Sequence, residues 1–166
     1  MVQLWVNLPA RDKTAPAGYQ AIVSSEIPTV RLPEGRGSAR VIAGELAGTK
    51  GPARTFTPMH VWDLRLTGDG RTDLAVPEGW TTALVVLRGE LRVSGADALG
   101  SAEVGIFDRS GTGICIDGAK DVTALLLAGQ PIDEPIVGQG PFVMNTPQEI
   151  RQAIVDYQNG RMGDLR

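Results

Sequence analysis

Residues 77–91 read PEGWTTALVVLRGEL (Pro77-Glu78-Gly79-Trp80-Thr81-Thr82-Ala83-Leu84-Val85-Val86-Leu87-Arg88-Gly89-Glu90-Leu91), and the fold turns on how this stretch is read. Pro77 and Gly79 punctuate a turn. Ala83 to Leu87 is then apolar without a break. Such a run suits a strand covered on both faces inside a packed sheet or sandwich. Arg88-Gly89-Glu90 reads as a tight turn that ends it. In small β-barrels a strand of this kind often carries the histidines and glutamate of a metal site. This one carries no histidine.

The same pattern repeats on both sides. Met59 to Leu66 alternates, with His60, Trp62, Leu64 and Leu66 on one face and Val61, Asp63 and Arg65 on the other. Gly68-Asp69-Gly70 reads as a turn, and 40–45 as a strand stopped by Gly44. Leu91 and Val93, Val104 and Ile106, and Ile114 and Ile116 continue the period of two, and Val122 to Ala128 is a second unbroken apolar strand. At the N-terminus, residues 2–8 (VQLWVNL) alternate as a further strand. Turn signals every 8–12 residues imply an antiparallel sandwich or barrel, a mainly β fold. The C-terminus differs. Thr146-Pro147-Gln148-Glu149 is a capping box, and Ile150, Ala153, Ile154 and Tyr157 form one apolar stripe, which predicts a short α-helix over 147–159 lying on the outside of the sheet structure. Gly160 suits its C′ position.

The 166 residues suit one domain, or one domain with extensions. Twenty-one glycines and eleven prolines are spread along the chain, so they punctuate strands and do not form a low-complexity segment. A net charge of −3 without a basic run argues against direct nucleic-acid binding. No apolar run reaches the roughly 18–20 residues of a membrane span. The single cysteine excludes an internal disulfide and, with no signal-peptide pattern, predicts a cytoplasmic protein.

Chemistry-bearing residues are few. His60 is the only histidine, and one imidazole cannot supply the converging ligands of an iron or zinc site. Its apolar face predicts a core or cavity-lining ring with hydrogen-bonded nitrogens. Cys115, between Ile114 and Ile116, reads as a buried inert thiol, because no base or cation adjoins it in sequence. A Cys115–His60 pair has no support in the sequence. Ser110-Gly111-Thr112-Gly113 lacks the lysine and following helix of a phosphate loop and reads as a turn. Trp62, Trp80 and Thr82 join His60 as candidate cavity lining, and no residue stands out as catalytic, cofactor-binding or metal-ligating.

Several phrases resemble one family. They are QLWVNLPA at 3–10 followed by Arg11-Asp12-Lys13, RVIAGE at 40–45 with Gly51-Pro52, Leu127-Ala128-Gly129-Gln130-Pro131 with Glu134-Pro135-Ile136, GPFVMNT at 140–146, and the tail with Asp156-Tyr157 and Gly160-Arg161-Met162-Gly163. Ordered along the whole chain, they resemble the pirin family. The resemblance implies a bicupin's second, C-terminal barrel: a double-stranded β-helix (jelly roll), with 1–18 as lead-in strand and linker and 19–166 as the barrel and its helix. It implies that iron belongs to the family's N-terminal barrel, whose three histidines and one glutamate have no counterpart here, so no cofactor is expected in this chain. In a metal-binding cupin a histidine pair and a glutamate precede the turn glycine. Counting back from Gly89 places those slots near Val76, Glu78 and Thr82, of which only Glu78 is a ligand type.

Three functions follow as expectations. One is a non-catalytic, metal-free domain acting through self-association, as a homodimer or with a partner chain in place of the first barrel. Another is one part of a pirin-like quercetin 2,3-dioxygenase whose metal lies in the other barrel. The last is a metal-free small-ligand binder.

Overall fold

The computed structural model describes residues 2–163. Contacts divide the chain into two units: Ile22–Pro131, and a second unit joining the chain's two ends, up to Ala21 and from Ile132 onward. This differs from the sequence expectation of a lead-in over 1–18 and one barrel over 19–166, because the C-terminal hairpin and helix group with the lead-in.

In the Ile22–Pro131 unit the strands are β1 (Thr29–Arg31), β2 (Gly37–Ala43), β3 (Glu45–Leu46), β4 (Thr49–Lys50), β5 (Met59–Ala75), β6 (Thr81–Val93), β7 (Ala98–Leu99), β8 (Val104–Phe107) and β9 (Gly113–Gly129). One antiparallel sheet runs β1-β2-β5-β9-β6-β7, with β8 also on β6, and β3–β4 form a separate ribbon. Its inner face follows the period of two. Trp62, Leu64, Leu66 and Leu74 of β5, Leu84, Val86 and Leu91 of β6, and Ile116, Val122, Ala124 and Leu126 of β9 all join one buried core.

Two glycine segments read as turns are bulges instead. β5 passes through Gly68–Gly70 with register shifts on both sides, and β6 passes through Gly89 with shifts at Arg88 and Glu90. A bulge and a turn draw on the same left-handed glycine, and only pairing with β9 tells them apart. The apolar run 83–87 is covered mainly on one side. Leu84 and Val86 are buried, while Leu87 is exposed. On β8 the face is the reverse of the sequence pattern: Val104 and Ile106 point outward and Phe107 packs on the core.

In the other unit, residues 2–9 form no strand. Val2, Leu4, Trp5 and Val6 are all exposed, Trp5 at 74%. Alternation assigns side chains to faces, but a strand also needs a neighbour to hydrogen-bond. A 3₁₀ turn follows at Ala10–Asp12. The hairpin β10 (Val137–Gln139) and β11 (Phe142–Met144) is packed by helix α1 (Pro147–Gln158). Thr146 caps α1 as expected: its hydroxyl accepts from Glu149 N at 3.2 Å, and its own N–H donates to Glu149 Oε2 at 2.8 Å. Ile150 and Ala153 are the buried part of the stripe. The helix has the hairpin of its own unit as its partner, where the sequence reading had placed it on the barrel. No helix among the described residues is long and apolar enough to cross a membrane.

Candidate functional site

Ala128 of β9 pairs with His60 on one side and Thr82 on the other, and in the next row Leu126 pairs with Trp62 and Leu84. Three strands thereby bring His60, Trp62 and Thr82 to one inner face. Trp80 arrives just ahead of β6, after a turn in which its N–H donates to Pro77 O at 3.3 Å. The His60 ring contacts two indoles, stacked on Trp62 at 4.9 Å and tilted against Trp80, also at 4.9 Å. Trp62 and Thr82 are buried, while His60 and Trp80 are half-buried. The candidate lining residues therefore do gather in one place.

The imidazole is held at its other side by backbone. Glu45 N–H donates to His60 Nδ1 at 3.4 Å. Gly44, at φ +78°, leaves the room for this: a Cβ there would overlap His60 Nδ1 and the Met59 carbonyl oxygen. Burial lowers the His60 pKa from its ordinary value near 6.5, against a hydrogen bond to Met59 backbone and the charge of Glu45, which raise it. Sequence reasoning placed Gly44 only as a strand stop. Its contact with His60 is set by the pairing of β2 with β5, which leaves no local signal.

These residues do not fit a metal. Among the described residues no three His, Cys, Asp or Glu side chains converge. Of the slots counted back from Gly89, Val76 is buried and apolar, Thr82 is a buried hydroxyl and Glu78 is exposed. The sole imidazole is packed against two indole rings, and its Nδ1 accepts from the Glu45 N–H. A site for iron or zinc needs several such donors aimed at one point.

Cys115 lies elsewhere. It pairs with Asp73, thirteen residues along β5 from His60, so no Cys–His pair forms. It is half-exposed, which corrects the expected burial. Outward-facing alternation on β9 places it beside Asp117, to which Sγ donates at 3.4 Å. Local desolvation, then hydrogen bonds to Asp73 and Asp117, push the thiol pKa up, and the nearby Arg71 lowers it only in part. The thiol is therefore held in its unreactive form.

An antiparallel sheet of this topology with a short C-terminal helix defines a cupin. Within that class the chain belongs to the pirin family: residues 61–163 match the Pirin C-terminal cupin domain. Pirin-1 of Arabidopsis thaliana is 36% identical over 98% of this chain and 58% of its own length. A Pseudomonas aeruginosa protein whose name proposes a quercetin 2,3-dioxygenase is 47% identical over 97% of this chain and 56% of its own. The crystal structure of a quercetin 2,3-dioxygenase from Acinetobacter baumannii superposes with a TM-score of 0.89 at 45% identity, covering 98% of this chain and 56% of that one. The chain thus spans little more than half the length of these relatives.

Proposed function

We propose that this chain is a metal-free, non-catalytic pirin-type cupin domain that works by association, either with a second copy of itself or with a chain that supplies the other barrel. The observation that carries this reading is the state of the sole imidazole, packed against Trp62 and Trp80 with Nδ1 accepting from backbone. The site's groups serve packing, and among the described residues no three ligand-type side chains gather around the imidazole. The exposed apolar lead-in supports the association half: Val2, Leu4, Trp5 and Val6 lie together in sequence and are all about half exposed or more. Apolar clusters of this kind mark contact surfaces. The free thiol and the absence of a disulfide suit a cytoplasmic setting.

The test combines metal analysis, turnover and sedimentation on the purified chain. The expected result is little bound iron after loading, no turnover of quercetin, and a monomer–dimer equilibrium across the micromolar range. Trp5→Glu should weaken self-association by about tenfold or more, about 1.4 kcal/mol. Stoichiometric iron, with quercetin turnover lost in His60→Ala, would overturn the reading.

A second reading rests on the likeness to the Acinetobacter quercetin 2,3-dioxygenase structure. In it, this chain is the metal-free part of a dioxygenase whose iron lies in a separate N-terminal barrel. Turnover that appears only when such a barrel is added as a second chain supports this reading over simple self-association.

A further inference from the structure

The unit made by the two chain ends holds a groove of about 340 Å³. Its walls are Trp5, Val6 and Leu8 of the lead-in, with Pro141 and Val143 of the β10–β11 hairpin. That volume lies at the lower end of the roughly 300–1,000 Å³ of small-molecule sites. The groove is open to solvent: Trp5 is 74% exposed, Val6 50% and Val143 40%. Apart from the one indole, the walls are aliphatic.

The two polar lining residues, Asn7 and Lys13, meet each other. Lys13 Nζ donates to Asn7 Oδ1 at 2.7 Å and to Val143 O at 3.2 Å. Both acceptors are neutral, so they do not offset the ammonium's charge. Two carboxylates of the same unit are engaged elsewhere. Asp12 pairs with Arg11 at 3.3 Å, and Glu134 Oε2 accepts from Ala10 N and Asn145 Nδ2. An ammonium has three N–H donors, and these two bonds use two of them. Asn7 gives its oxygen to Lys13 and keeps its Nδ2 hydrogens as donors. The polar end of the groove thus offers a positive charge and N–H donors, which suits a carboxylate. Because the groove is open, that carboxylate stays partly hydrated and avoids the penalty of a buried ion. One cation among apolar walls does not suit a multiply charged anion such as phosphate.

We propose that this groove binds a small aliphatic monocarboxylate, its carboxylate on Lys13 and Asn7 and its hydrocarbon tail along Trp5, Pro141 and Val143. This goes beyond the association role and does not depend on it, because the groove lies within a single copy.

Hexanoate is the probe, near neutral pH where it is ionised. Hexanamide is its uncharged counterpart, and acetate is the same headgroup without the tail. The readout is the Asn7 side-chain amide and the Trp5 indole N–H in ¹⁵N-labelled protein, assigned with Asn7→Ser and Trp5→Phe. Hexanoate should move both resonances saturably, with a Kd on the order of 1 mM for so small a ligand. Hexanamide should bind about fivefold more weakly, having no charge for Lys13 to meet. Acetate should bind at least about tenfold more weakly, having no tail to bury. Lys13→Gln keeps a donor for Asn7 and Val143 and removes the charge; it should bring hexanoate down to the level of hexanamide. Trp5→Ala alters an exposed ring; it should retain the native circular dichroism and weaken hexanoate binding by about fivefold. Resonances unmoved at about 20 mM hexanoate overturn the proposal. So does acetate binding as tightly as hexanoate, or a preference for hexanoate over hexanamide that survives in folded Lys13→Gln.

Discussion

His60 shows how one residue records its surroundings in a pH profile. Burial favours its neutral form, so its pKa in the folded chain lies below the ordinary value near 6.5. The unfolded chain then takes up a proton first as pH falls, and stability declines as pH drops below about 6.5 until the folded-state pKa is reached. Above that range the contribution is fully present. As the only histidine, His60 is the one side chain with an unperturbed pKa inside the window from about pH 5.5 to 8. Urea unfolding at the two ends of that window should show lower stability on the acid side, and His60→Phe should flatten the difference. A slope unchanged by that substitution would mean that the stack does not bias the ring. The pairing of His60 with Trp62 was legible in the sequence, since residues two apart on a strand share a face. The approach of Trp80 was not, because it depends on β9 lying between β5 and β6.

At the scale of elements, local signals survived and pairing-dependent ones did not. The helix over Pro147–Gln158 was legible because its capping box, Pro147 at N1 and Gly160 beyond the end are all local. Gly68–Gly70 and Gly89 carried the same local signal as turns, and only a neighbouring strand made them bulges. The lead-in over residues 2–8 had the alternation of a strand but no neighbour. Gly89 and Gly79 separate the two sources of glycine's cost. Both have positive φ, +83° and +82°. At Gly89 a Cβ would lie 2.5 Å from Lys120 O and 2.6 Å from Asp121 O, whereas at Gly79 it would meet nothing within 4 Å. Gly79→Ala should therefore cost about 1 kcal/mol, the backbone contribution alone. Gly89→Ala should cost about 2–4 kcal/mol, because the β6–β9 bulge must also shift. Equilibrium urea unfolding compares the two directly, and equal losses would show that the close approach to β9 carries no weight.

For the whole molecule, composition and strand spacing made a mainly β fold legible, and the family phrases made it a pirin-type cupin. The grouping of the two chain ends was not legible, because it is made by contacts more than a hundred residues apart in sequence. Glu134 is central to it: its Oε2 accepts from Ala10 N at 2.7 Å and from Asn145 Nδ2 at 2.9 Å. Asn145 Nδ2 also donates to Pro135 O at 3.0 Å, and Lys13 Nζ donates to Val143 O at 3.2 Å. One carboxylate thus ties the lead-in to the segment that carries β11 and α1. Glu134→Ala removes the shared acceptor and leaves the partly buried Asn145 amide short of a partner, a loss of about 1–2 kcal/mol. That corresponds to hydrogen exchange roughly five- to thirtyfold faster. The faster exchange should appear together at the Ala10 amide, in Phe142–Met144 and in the first turns of Pro147–Gln158, because one clamp serves all of them. Glu134→Gln keeps an acceptor oxygen in place and should restore most of the protection. Faster exchange confined to residues beside position 134, with Ala10 unaffected, would show that the two chain ends are held together by other contacts.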